Sequence, residues 1–276
     1  MNAILLLLAG LNLLTLPAAT PQPLSLAASL AALATAPPEA EGLPTADELL
    51  TRLEEADADL ASLQADVMYR KTNSLVGEEE RRSGKLYFRQ EQAEGEAQPR
   101  RQFAIEFQKL YIDDRKEMEE RTFIFDGRWL VEKLPSETPR QMFKREIVPP
   151  GETFDPLAIG EGPFPIPIGQ KREEILKHYE AEVLPPGEGQ LEQHSYHIRL
   201  QRKPEARDRL DVETLDLWYL REDLLPVHAQ AIDDGGNITE VSLVRVERNI
   251  AIDDRHFDTT APTEGWEVEI TSGQER

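Results

Sequence analysis

Residues 102–108 read Gln-Phe-Ala-Ile-Glu-Phe-Gln. In an extended chain Phe103, Ile105 and Phe107 project to one side, and Ala104, Glu106 and Gln108 to the other. That period of two is the mark of a strand with one apolar face. Its register is tightly specified, because a slip of one residue would bury Glu106. The pattern recurs on either side. Leu86 and Phe88 alternate with Lys85, Tyr87 and Arg89, and Tyr196, Ile198 and Leu200 with His197, Arg199 and Gln201. Asp126-Gly127 separates apolar runs at 122–125 and 129–134, and Asp233-Asp234-Gly235-Gly236-Asn237 separates 226–232 from 239–246. Both are hairpin signals. About ten strands are expected between Ala65 and Ile270. One apolar and one wet face is the antiparallel pattern.

Two helices flank this pattern. Thr45-Ala-Asp-Glu48 is a capping box, followed at helical spacing by Leu49, Leu50, Leu53, Ala56, Leu60 and Leu63. Ile175, Leu176 and Tyr179 share one side of a short helix over 171–179. Between strands and second helix the rhythm breaks. Pro149, Pro150, Pro156, Pro163, Pro165 and Pro167 mix with four glycines, and Phe154, Leu157, Ile159, Phe164, Ile166 and Ile168 are scattered among them. A loop this apolar is expected to fold over a core as a flap. Residues 91–98 read as a solvated insertion, and no internal repeat is evident.

The chain has 276 residues, with 31 Lys plus Arg against 52 Asp plus Glu, a formal charge of −21. Phosphate backbones repel such a chain, so nucleic acid is excluded as a partner. The absence of cysteine removes disulfides, thiolate metal sites, cysteine nucleophiles and any anchor that needs an N-terminal Cys. No Lys, Arg or His precedes Arg52, and residues 4–16 are almost wholly apolar. With the small residues at Ala32-Leu33-Ala34, this predicts an export signal over 1–36, although it lacks a basic n-region. An uncleaved inner-membrane anchor is the other reading. Either way the body is expected to be exported. Residues 37–44 read as a Pro-rich linker and 45–276 as one folded domain.

Chemistry-bearing motifs are missing. There is no Gly-x-Ser-x-Gly elbow, phosphate-binding glycine loop or His-Glu-x-x-His. His194 and His197, placed on one strand, point to opposite faces and cannot chelate one ion together. Asp233-Asp234 and Asp253-Asp254 lack the ligand series of a calcium loop and read as turn chemistry. No catalytic residue, metal ligand or cofactor is assigned. Most apolar strand faces are simply core. Here, however, some ten strands make a wide apolar face, and only two helices and a flap are available to cover it. That leaves room for an apolar guest.

The order of these pieces resembles the LolA-type lipoprotein carriers and their LolA/LolB-like relatives. It runs from the first helix and Gly84-Lys-Leu-Tyr-Phe88 through Phe123-Ile-Phe-Asp-Gly-Arg-Trp-Leu130 and the Pro-rich stretch to 171–179. It closes with Asn249-Ile-Ala-Ile-Asp253, Phe257, Pro262 and Gly265-Trp-Glu-Val268. The resemblance spans roughly 45–270. It implies an α+β fold: a large curved antiparallel sheet, a half-barrel, covered on its concave face by helices and the Pro-rich flap. It also implies a periplasmic carrier holding the acyl chains of a lipid or lipoprotein, with a membrane-bound donor and acceptor as partners.

On this reading the apolar cavity is lined by Leu86, Phe88, Phe103, Ile105, Phe107, Phe123, Phe125, Tyr196, Ile198, Leu200, Leu217 and Tyr219. The movable lid is carried by Leu49, Leu53, Leu60, Phe164, Ile166, Ile175 and Tyr179. LolA-type carriers latch the lid with an Arg before a Pro on an early strand. Gln90 occupies the matching position here, with Arg89 one step off. The latch is therefore expected to be absent or supplied elsewhere. The same half-barrel serves in periplasmic sensors that respond to lipids and bind a membrane-anchored regulator, and that is the alternative reading. An enzyme of unassigned type is the third.

Overall fold

The structure is a computed structural model, and it describes residues 42–91, 99–112, 115–148, 168–169, 171–262 and 264–272. The export segment over 1–36, residues 37–41 of the linker, the insertion after Glu91, and Phe154, Leu157, Ile159, Phe164 and Ile166 of the flap lie outside the described residues.

Helix α1 (Ala46–Ala58) comes first, and the capping box read from the sequence is present. The Thr45 hydroxyl accepts from the Glu48 N–H, and the Glu48 carboxylate accepts from the Thr45 N–H. The strands follow as β1 (Ser62–Thr72), β2 (Glu79–Glu91), β3 (Arg100–Ile112), β4 (Arg115–Glu117), β5 (Arg121–Phe125), β6 (Trp129–Leu134) and β7 (Arg140–Glu146). After α2 (Arg172–His178) come β8 (Tyr179–Leu184), α3 (Gln190–His194), β9 (Ser195–Arg202), β10 (Val212–Leu220), β11 (Pro226–Asp233), β12 (Ile238–Arg248) and β13 (Trp266–Thr271). They form one open, curved sheet in the order β13-β7-β6-β5-β3-β2-β1-β12-β11-β10-β9-β8, with β4 paired beside β3. Every pairing is antiparallel except that of β13 with β7.

Register follows the alternation. Phe88 lies opposite Phe103, Leu86 opposite Ile105, Ile105 opposite Phe123 and Phe103 opposite Phe125. Paired residues point the same way, so these side chains share the inner face, the face that α1 covers. Gly84 is needed where β2 bulges against β3. A Cβ there would stand 1.9 Å from the Glu106 carbonyl oxygen. Both expected hairpins form. In the first, the Asp126 carboxylate accepts from the Arg128 and Trp129 N–H groups, and Gly127 takes φ +99°. In the second, the Asp233 carboxylate accepts from the Gly235 and Asn237 N–H groups.

Five expectations are corrected. The apolar stripe read as one helix through Leu63 is cut short, since α1 ends at Ala58, Leu60 lies in the following turn and Leu63 is on β1. Among the described residues the sheet has thirteen strands and not about ten, because pieces such as three-residue β4 are too short to show alternation. Tyr179 is not on a helix; α2 ends at His178 and Tyr179 begins β8, where it is buried in the sheet's inner layer. His194 ends α3 while His197 lies on β9, so the two are not on one strand. The outer face is not uniformly wet. Tyr87, Ala104, Ile124, Val131 and Met142 are buried there against Phe257, with Ile252, Ala261 and Trp266 beside them. Ile252, Phe257 and Ala261 belong to the crossover from β12 to β13, whose Asp254–Phe257 turn packs on β3 and β5, and Trp266 opens β13. Crossovers leave little periodic signal, so a second apolar layer hides in an irregular segment.

Asn249 shows why the closing segment has the residues it has. At φ +55°, its carboxamide oxygen accepts from the Ala61 N–H at 2.8 Å, and its amide donates to the Asp59 carbonyl at 3.2 Å. One side chain thus fastens the α1–β1 turn to the start of the crossover.

Candidate functional site

All twelve residues expected to line a cavity lie on the inner face, in two groups. Leu86, Phe88, Phe103, Ile105, Phe107 and Phe125 are buried together with Leu63, Ala65, Val67, Val241 and Leu243, and Phe123 is packed against them. This half, on β1, β2, β3, β5 and β12, is rich in aromatics. Phe103 and Phe125 have ring centroids 5.7 Å apart, Phe107 and Phe123 meet edge to face at 6.4 Å, and Tyr69 lies 6.0 Å from Phe107. Ile198, Leu200, Leu217 and Tyr219 are buried in the second group on β8–β11, with Tyr196 packed beside them.

The helices do not cover both halves alike. Leu49, Leu50 and Leu53 of α1 and Ile175 of α2 belong to the second group. Over the aromatic half, the cover from outside the strands comes, among the described residues, from Leu60, Ile168 and Leu225, with Ile147 and Val148 at the margin. A cleft of about 220 Å³ lies where the halves meet, lined by Ala56, Asp57, Leu60, Leu224, Leu225 and Arg248 among others. Ligand pockets run to roughly 300–1,000 Å³, so a whole lipid needs more room than this cleft offers.

Polar contacts hold α1 in place. The Gln90 amide donates to the Asp57 carbonyl in the last turn of α1 at 3.0 Å. Gln90 is thus a neutral donor tying β2 to the end of α1. Arg89 faces the other side. It donates to Gln102 at 2.8 Å and to Asp254 at 2.6 Å, and its guanidinium lies over the Phe257 ring, so it fastens the outer crossover. The Asp57 carboxylate accepts from the Gly169 N–H at 2.7 Å. Gly169 has φ +69°, and a Cβ there would meet the Arg101 guanidinium at 2.6 Å. The Arg172 Nε donates to Asp47 at 2.7 Å, and the Arg172 N–H to Glu54 at 3.3 Å. Asp57, Asp47, Glu54, Gly169 and Arg172 were missed in the sequence. Their one signal is the spacing of Asp47, Glu54 and Asp57, which places an acidic stripe beside the apolar stripe of α1.

The outer face of β9–β12 carries a polar cluster. The Asp216 carboxylate accepts from Arg199 at 2.8 and 2.9 Å and sits 2.8 Å from His197 Nε2. Burial pushes this carboxyl up, but the hydrogen bonds from His197 and Arg199 and their charge outweigh it and hold it below the ordinary value. Trp218 stacks on His197 at 4.1 Å and donates to Glu192 at 2.9 Å. His228 Nδ1 is 2.8 Å from the Ser242 hydroxyl, and burial pushes its imidazole down. Among the described residues no group of three or more His, Asp or Glu is arranged to hold a metal ion.

No family model and no curated protein matches the chain. Solved structures do. An uncharacterized conserved protein from Thermus thermophilus is similar over 82% of this chain and 99% of its own, at 15% identity and TM-score 0.46. A LolA superfamily protein from Nitrosomonas europaea is similar over 79% of this chain and 99% of its own, at 12% identity and TM-score 0.33. In the Pseudomonas aeruginosa MucA/MucB complex, the similar chain shares 15% identity at TM-score 0.38; 78% of this chain matches 61% of that one. The structural neighbours thus include the superfamily that the sequence resembles.

Proposed function

We propose that this protein is an exported carrier that shelters the acyl chains of a lipid or lipoprotein on the aromatic half of its inner face. The observation that carries the reading is the mismatch of cover. Phe88, Phe103, Phe107, Phe123 and Phe125 lie on β2, β3 and β5, while, among the described residues, α1 and α2 pack over the other half. The aromatic side chains are buried, with Phe103 and Phe88 each 1% exposed and Ile105 fully enclosed. A guest therefore enters by displacing what lies over them. Leu60, at the end of the α1 hinge, and Ile168, beside the Gly169 anchor, are the described residues in its way. Rim contacts between exposed groups, such as Arg172 with Asp47, are each weak, of order 0–1 kcal/mol. Such fasteners suit a cover that opens.

The energetics match the task. Burial is worth about 0.8 kcal/mol per methylene, so one long acyl chain represents on the order of 10 kcal/mol. That is enough to displace a few apolar contacts and the rim bonds. No bond is made or broken, and no cofactor enters. Release needs a membrane-bound acceptor, and loading a donor.

Titration with a fluorescent long-chain acyl probe tests the reading. Saturable binding that is lost in Ile105→Asp and weakened in Phe123→Ala, with both variants still folded by circular dichroism, is the expected result. Binding at wild-type strength in a folded Ile105→Asp protein would overturn the assignment of this face.

A further inference from the structure

β13 ends the sheet, and among the described residues no strand pairs with its outer edge. Five of its six residues are exposed, including Val268 and, at 57%, Ile270. Natural edge strands are guarded by charged side chains, Lys above all, by Pro, by a bulge or by a covering element, and among its described residues β13 carries of these only Glu267 and Glu269. Residues 266–271, Trp-Glu-Val-Glu-Ile-Thr, contain no Lys, Pro or Gly, and they pair with β7 without a register shift from Trp266 opposite Arg140 to Thr271 opposite Arg145. The other end of the sheet is treated differently. There α1 and α2 pack on β8, and Pro185-Pro186 follow it.

The two faces of this edge differ in chemistry. Val268 lies opposite Met142, which is buried in the outer apolar layer, so Trp266, Val268 and Ile270 run along the outer face. Glu267 and Glu269 stand on the inner side, and Glu269 is paired with the partly exposed Phe143. A strand added here would meet an apolar ledge on one face and a row of carboxylates on the other. We propose that the β13 edge docks an extended segment of a partner protein in which apolar residues alternate with Lys or Arg. Backbone bonds along the edge would supply affinity, and the alternating faces would set the register. A second copy of this chain is the poorer occupant. Two β13 strands joined edge to edge with matching faces would set Glu against Glu, on molecules that each carry −21. The inference does not depend on what the inner face holds.

The test is calorimetric titration of the full chain, at low salt, with a blocked hexapeptide of alternating Lys and Val, read alongside amide hydrogen exchange. Binding should slow exchange within 266–271, and the matching Glu/Val hexapeptide should bind at least about tenfold more weakly. The double variant Glu267→Lys/Glu269→Lys should reverse that preference while keeping the wild-type melting temperature. A Lys/Val peptide N-methylated on every residue, with no backbone N–H left to donate along either edge, should fail to bind. Binding by the N-methylated peptide would show plain attraction to an acidic surface and overturn the proposal. Protection outside β13, an unchanged preference in the double variant, or dimerisation of the free chain through this edge would also overturn it.

Discussion

Asp216 and His228 occupy the same outer cluster and titrate in different windows. His228 is held by burial below its ordinary value of 6.5, with Glu240 opposing that shift and Arg70 adding to it. Its neutral folded form therefore contributes stability above pH 6.5, and that contribution is lost as pH falls below it. Asp216 is held below 3.8, so its contribution is present above that value and lost further into acid. Stability should thus fall in two steps on acidification. His228→Gln should remove the upper step, and Asp216→Asn should shrink the lower one, to which Asp234, Asp258 and Glu48 also contribute, while costing about 1–3 kcal/mol at neutral pH. Urea melts across pH check this, and a single step left unchanged by His228→Gln would count against it. Gly84→Ala is expected to cost at least about 1–3 kcal/mol, because its Cβ would collide with the Glu106 carbonyl. A melting temperature equal to wild type would show that the bulge relaxes freely. Gly84 stands in the quoted Gly84–Phe88 run, yet nothing local announced the bulge; the steric demand comes from β3, some twenty residues away. The pairing of Asp216 with His197 and Arg199 was equally hidden, since only the β9–β10 register brings them together.

At the level of elements, apolar spacing read well wherever an element is regular. The α1 stripe from Leu49 to Ala56, its capping box and both hairpins stand as the spacing and turn residues implied, while Leu60 and Leu63 fall beyond the helix, Leu63 on β1. Reading failed where a tertiary contact decides the outcome. Tyr179 continues the apolar side of α2 but belongs to a strand, because the chain turns extended there to pair Tyr179 with Arg202. The proposed function turns on α1, which packs over one half of the inner face and runs into the α1–β1 turn beside the other. Thr45→Ala should cost about 1 kcal/mol by removing the cap and should speed loading of an acyl probe by fraying the helix. Because the chain has no cysteine, paired cysteines at Gln90 and Asp57, bridged by a short thiol linker, can hold α1 against β2. Loading should slow when the bridge is made and recover when it is reduced. Exchange of α2 amides should also slow when an acylated peptide is bound, since the ligand adds contacts to the closed form. Equal protection with binding confirmed would make α2 ordinary core.

For the whole molecule, the antiparallel sheet and its apolar inner face were legible from period-two patterns on β2, β3 and β9, and the curvature came only with the family resemblance. The division of that face into two halves was not, because helix placement depends on contacts between distant segments. Nor was the packing of the outer crossover, whose Ile252 and Phe257 are isolated apolar residues in an irregular stretch. The central claim is that the aromatic half holds acyl chains in the cell. Mass spectrometry of lipids co-purifying with the protein from its native envelope, without detergent, tests it most directly. The account expects acyl-bearing molecules at close to one per protein, and their loss in a folded Ile105→Asp variant. A wild-type protein isolated without bound lipid, and unable to take up acyl chains when supplied with them, would contradict it.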